Sequence, residues 1–209
     1  MDKRYKLVEQ EAAESENSED KEKFEWKLKK WKEVESDKEF FGVFSEGWLH
    51  CYSDPLIAIL LNPINENIQN PRLFEVEVDG KEAYNNMKYA YKKMRLIKEI
   101  DIPKITLEQK VKFAVICALE VCGENKFTSW AKDWYGDKKR KDILAFETDK
   151  DRHEYEPIAL FAYDAAISGE SSELVPHATV SALTNTAYVV MLAENHGVNL
   201  KKIENKLLS

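Results

Sequence analysis

The chain has 209 residues, 44% of them hydrophobic and 33% charged, and a net charge of −7. That length supports one substantial core, or a small α+β unit with a helical companion. The acidic balance argues against a general nucleic-acid binder, and the longest apolar run, "PLIAILLNPI", falls well short of a membrane span.

Residues 9–25 carry eight acids against two lysines and almost nothing apolar. Such a stretch cannot bury enough surface to offset the entropy of ordering it, so residues 1–23 are expected to form an acidic, flexible arm, the other reading of its Ala, Glu and Lys being the start of a long helix. They contain no apolar core of a secretory signal, and a cytoplasmic location is expected, in the host cytoplasm if the protein is viral. The next stretch, "KFEWKLKKWKEVES", places Phe24, Leu28 and Trp31 at helical spacing and predicts an amphipathic helix, with Trp26 off its stripe.

From residue 39 the period shortens. "EFFGVFSEGWLHCY" predicts two strands about a turn at Ser45-Glu46-Gly47. "DPLIAILLNPINENI" predicts a helix capped by Asp54, with Pro55 at its first position and Asn62-Pro63 as a stop or kink. "RLFEVEVDGK" sets Phe74, Val76 and Val78 on one parity against Glu75, Glu77 and Asp79 on the other, and ends in an Asp-Gly turn. "KYAYKKMRLIKEIDIP" is open to either period, and its alternation favours a strand paired with 72–79.

At Thr106 the pattern becomes helical. "TLEQKVKFAVICALEVCG" opens on a Thr cap and closes on Gly123. Further helices are predicted in "NKFTSWAKDWYG", "EPIALFAYDAAISG", "VPHATVSALTNTAYVVMLAENHG" and "NLKKIENKLLS". Phe127, Trp130 and Trp134 form a stripe expected to dock the two halves together. The expected fold is α+β: a small, mostly antiparallel sheet with flanking helices over 24–104, then an all-helical half over 105–209 packed on it.

The stretches "GWLHCYSDPLIAILLNPINENIQNPRLFEVEVDG", "KMRLIKEIDIPKITLEQKVKFAVICALEVC" and "FTSWAKDWYGDKKR" together resemble a family of bacteriophage and prophage proteins, also found in some large viruses. In that family an acidic strand and a glycine are followed by a lysine-rich strand and then a helix leading to a "WA..WL.G.DR"-like stretch. The resemblance spans roughly residues 42–140, about half the chain. It implies a viral setting and no particular activity, and the C-terminal third departs from the alanine-rich repeats of some members.

Several groups could carry chemistry. His50 and Tyr52 share a strand face, whereas His50 and Cys51 point to opposite faces and cannot act on one bond. A His and a Tyr so placed resemble the pair that clamps a nicotinamide in some ADP-ribosyltransferases, with Glu75 or Glu77 as the catalytic carboxylate. Glu75 and Glu77 lie about 7 Å apart by strand geometry, close enough to flank one substrate. The other reading of that face is a solvated one, ion-paired to Lys92, Arg95 and Lys98 on the partner strand. The run Lys138, Lys139, Arg140 and Lys141 could bind phosphate groups, or serve as a solvated turn between helices. Cys51, Cys117 and Cys122 are an odd set without zinc-site spacing, so reduced thiols and no metal site are expected.

Three functions follow from these readings. The first is a non-catalytic phage accessory protein that binds a host or defence-system protein, with no cofactor, no membrane association and no direct nucleic-acid binding. The second is an enzyme acting on NAD or another nucleotide. The third is a nucleotide-binding sponge.

Overall fold

The computed structural model describes residues 3–9, 26–35, 47–84, 88–123, 126–136, 157–171 and 176–208. The fold is α+β, and the chain divides into two compact units, 1–104 and 105–209. The first holds an antiparallel sheet built from β1 (Arg4–Glu9), β2 (Lys32–Glu33), β3 (Leu49–Cys51), β4 (Pro71–Tyr84) and β5 (Tyr89–Ile100), with, among the described residues, one helix, α1 (Pro55–Asn65).

The alternation of β4 does what the sequence predicts. Phe74, Val76 and Val78 join Leu49, Cys51, Tyr91, Met94 and Leu96 in one buried cluster, and β4 pairs along β5 from Leu73–Ile100 to Tyr84–Tyr89. The Asp-Gly step is not the turn between these strands. Gly80, at φ +87°, sits in a bulge between Asp79 and Glu82, and the strand runs on to Tyr84. A left-handed residue there shifts the register without ending the ladder, and a glycine takes that conformation at no steric cost.

Residues 4–9, expected in a flexible arm, instead form β1, paired with Arg72–Val76 and Pro71 of β4. The pairing wins because Leu7 and Leu73 lie opposite each other and are both fully buried. The rest of the arm, 10–23, is outside the described residues. On its other side β1 meets the residue after β3: Tyr5 N–H donates to the Tyr52 carbonyl at 2.8 Å, and Tyr52 N–H returns a bond to the Tyr5 carbonyl at 2.7 Å. Since β3 also pairs with β5, the order β1–β4–β5–β3 returns to β1 and the strands close a ring.

The helix expected over 23–36 is absent from residues 26–35, which form a turn and the short β2 on β5. Lys29 N–H donates to the Leu96 carbonyl at 2.8 Å and Val34 N–H to the Lys92 carbonyl at 2.9 Å, so sheet pairing replaces the helical ladder. The anticipated stripe is inverted. Trp26 packs on the buried cluster, whereas Leu28 and Trp31 are exposed. The first strand expected before Ser45 lies outside the described residues.

Helix α1 starts as predicted, with Asp54 Oδ1 accepting from Leu56 N–H at 2.8 Å and Pro55 at the first position. It passes through Pro63 and ends two residues later. The Asn62 side chain takes over the capping by accepting from Ile68 N–H and donating to the Ile68 carbonyl. Six successive residues, Leu56–Leu61, are buried, and α1 packs against β1.

The second unit is helical: α2 (Leu107–Val121), α3 (Lys126–Tyr135), α4 (Pro157–Ser171), α5 (Pro176–Asn195) and α6 (Leu200–Leu208). Thr106 and Gln109 form a reciprocal capping box on α2. Helix α2 packs on α4, α5 and α6, and α4 packs along α5. Small residues permit the close approach: Ala159, Ala162, Ala165, Ala166, Ala182, Ala187 and Ala193 are wholly buried. A side chain on Gly169 would meet Val111 at 3.2 Å, tighter than ordinary contact. The stripe of α3 turns inward within this unit. Trp130 lies edge-on to Tyr163 at 5.0 Å, and Trp134 Nε1 donates to Glu170 at 2.8 Å, both partners being on α4.

Candidate functional site

Strand β3 sets up the first group. Leu49 and Cys51 face the buried cluster, so His50, opposite Ala90, and Tyr52 take the other parity. Tyr52 is fully buried and its hydroxyl accepts from Asn65 Nδ2 at 3.2 Å. Just before β5, the buried Lys88 places its ammonium 3.3 Å from Glu66 and 5.7 Å from the centre of the Tyr52 ring. From β1, Lys6 Nζ donates to the His50 carbonyl at 3.0 Å. Four parts of the chain therefore converge: β1, β3, the end of α1 and the start of β5.

Burial and the neighbouring charges of Lys88 and Lys6 push the His50 imidazole down to about 4, so it is neutral at pH 7. Burial, reinforced by the Glu66 charge, pushes the Tyr52 phenol up. Burial alone would raise the Glu66 carboxyl, but Lys6 and Lys88 outweigh it and hold it below the usual carboxylate range. Burial pushes Lys88 down against the opposing pull of Glu66. A neutral imidazole offers no charge to a phosphate, and its basicity lies well below that of a general base matched to neutral pH.

The carboxylates proposed to work with His50 and Tyr52 are engaged elsewhere. Glu75 accepts from Lys3 at 3.2 Å and lies 3.4 Å from Lys98, and these two cations keep its carboxyl low despite slight burial. Glu77 accepts from Arg95 Nε at 2.8 Å. The charges acting on His50 are those of Lys88, Lys6 and Glu66. His50 and Tyr52 thus belong to one cluster, and Glu75 and Glu77 to cross-strand ion pairs on β4 and β5. Lys92 turns away from that face: its ammonium donates to the Gly47 carbonyl and lies 4.0 Å from the centre of the Trp48 ring.

Lys138, Lys139, Arg140 and Lys141 lie outside the described residues. Burial pushes the Cys51 thiol up to about 12, and Cys117 rises well above the ordinary range for the same reason. Among the described residues, no group of three or more His, Cys, Asp or Glu side chains is placed to hold a metal ion.

The second group is one that the helical reading of 23–36 hid. From Trp26 through Lys32 the chain carries four lysines and no acid. Lys29 has φ 60°, a left-handed conformation, and Lys30 N–H closes the turn onto the Lys27 carbonyl at 3.2 Å. Lys6 and Lys32 flank the Trp26 ring at 5.3 and 5.1 Å. Trp31 keeps 38% of its surface in solvent beneath Arg95, at 4.6 Å from its ring centre, and Lys93, at 5.3 Å; Leu28 keeps 53%. Sequence reasoning also missed Lys6, Asn65, Glu66 and Lys88. The signal available for Lys88 was its parity, shared with the buried Ala90.

No helix among the described residues is long and apolar enough to cross a membrane. No family model, curated protein or solved structure matches the chain.

Proposed function

We propose that this protein acts by binding another protein, as a phage-associated accessory factor directed at a host or defence-system protein, and that it does so without catalysis. The observation that carries the reading is the exposure of Leu28 and Trp31 in one short turn fastened to a sheet. Large apolar side chains held in solvent on a rigid support are what a protein interface uses as anchors, because little freedom is lost when they dock. The viral setting rests on the resemblance across residues 42–140.

The test is affinity capture with the tagged full chain from a bacterial host lysate, run beside a Leu28→Ser/Trp31→Ala variant of unchanged melting temperature. A protein recovered with the wild type and lost with the variant is the expected result. A thermal shift with NAD or a nucleotide, accompanied by turnover of that ligand in mass spectrometry, would overturn the reading.

A further inference from the structure

We infer that the turn Lys27–Trp31, together with Lys93 and Arg95 of β5, docks an acidic protein surface in which carboxylates surround an apolar pocket; this rests on the protein-binding reading above and names the chemistry of the partner. Residues 27–31 are all exposed, and three of the five are lysines. The two apolar members, Leu28 and Trp31, supply the surface that a pocket would cover.

The backbone of the turn supports a presenting role for its lysines. At φ 60° a glycine or asparagine costs least, and a longer side chain costs roughly 1 kcal/mol. Position 29 is nevertheless a lysine, and it is exposed to solvent. The hydrogen bonds from Lys29 to Leu96 and from Val34 to Lys92 hold the segment in place before any partner arrives.

The rim selects a protein over a polyanion. Glu33 lies 3.5 Å from Lys93, and Glu77 is paired with Arg95, both carboxylates remaining well exposed. A nucleic-acid backbone or an anionic bilayer would bring uniform negative charge against them. A protein surface can meet the lysines with carboxylates and the glutamates with its own cations. Leu28 points the same way, because an aliphatic side chain offers nothing to a phosphate and does not stack on a base.

The experiment is a titration of the isotope-labelled full chain, followed by the backbone amides of residues 27–31 and the Trp31 indole N–H. The probe is a synthetic peptide alternating Glu and Asp with Leu and Phe. Parallel titrations use the same peptide with Gln and Asn for its acids, an oligothymidylate 12-mer, and phosphatidylglycerol vesicles. The acidic peptide should move these signals, and its affinity should fall about tenfold in Trp31→Ala and in Lys27→Glu/Lys30→Glu, each checked by its melting temperature. The neutral peptide should bind more weakly by a similar factor.

Unmoved signals, equal binding by the variants, or tighter binding of the oligonucleotide or the vesicles would each overturn the inference. A host protein captured equally by the wild type and by Lys27→Glu/Lys30→Glu would overturn it while leaving the protein-binding reading in place. Failure to capture any protein counts against that broader reading, and the peptide titration still decides the chemistry of the turn.

Discussion

The two units bury different kinds of side chain. The helical unit fills its interior with alanines and a few large apolar residues, so its helices approach closely, as at Gly169 and Val111. The sheet unit takes Arg4, Lys6 and Lys88 out of solvent and sets them against ring faces, carbonyls and carboxylates. Stability in the first therefore depends on volume, and in the second on charge as well. A short sheet closed into a ring has little apolar volume to offer, and the long stems of lysine and arginine fill space while their heads find partners.

The largest expected effect separates the two on volume. Phe113→Ala, at a fully buried site of α2, should cost about 3–5 kcal/mol. Hydrogen exchange resolved by peptide should place the loss in residues 105–209, with the same size at pH 5 and pH 7. A loss that grows at the lower pH would break the distinction.

Lys88→Ala should cost about 3 kcal/mol in urea unfolding at pH 7, because it leaves Glu66 without its closest cation. Lys88→Met combined with Glu66→Gln should recover most of that loss. If the double variant is as weak as the single one, Lys88 serves as packing and its charge is incidental. Ala162→Leu, which overfills the α-helical interior, should cost about 1–3 kcal/mol with no dependence on pH.

The pH dependence itself should be visible in the sheet unit. His50 titrates near 4 when folded and near 6.5 when unfolded, so the unfolded chain takes up the proton first. Stability is then full above about pH 6.5, falls as the pH drops towards 4, and levels off below that. Allowing for solvent screening of a half-buried ring, the loss is on the order of 1–2 kcal/mol. Glu66, held low by its lysines, adds a loss in the same direction below its unfolded value of 4.5. In His50→Gln the part between pH 6.5 and 4.5 should disappear. The smallest effect is a gain: Lys29→Gly should add about 0.5–1 kcal/mol by relieving the left-handed backbone.

What could be read from the sequence follows the range of the interactions. The Thr106 capping box, the Asp54-Pro55 start of α1 and the alternation of β4 are settled within a few residues, and each is where the sequence places it. Residues 26–35 were misread because their spacing fits a helix, while the bonds that decide their shape come from Leu96 and Lys92 on β5. β1 was missed because two of its three buried positions hold Arg4 and Lys6, which read as solvent-facing until their partners are known. For the site, parity alone put His50 and Tyr52 together. It could not supply Lys6, Asn65, Glu66 and Lys88, which reach them from three other parts of the chain.

The closed ring of strands also constrains the order of synthesis. β1 leaves the ribosome first, yet its ladder partner spans Pro71–Val76, so it waits several seconds at about 5–20 residues per second. Its other neighbour, Tyr52, also comes late, and two hydrogen bonds complete the circle there. Until then the unpaired segment carries Arg4 and Lys6, charges of the kind that discourage edge-to-edge association between chains. The cations that end up inside the sheet unit thus act first as guards of an unfinished edge.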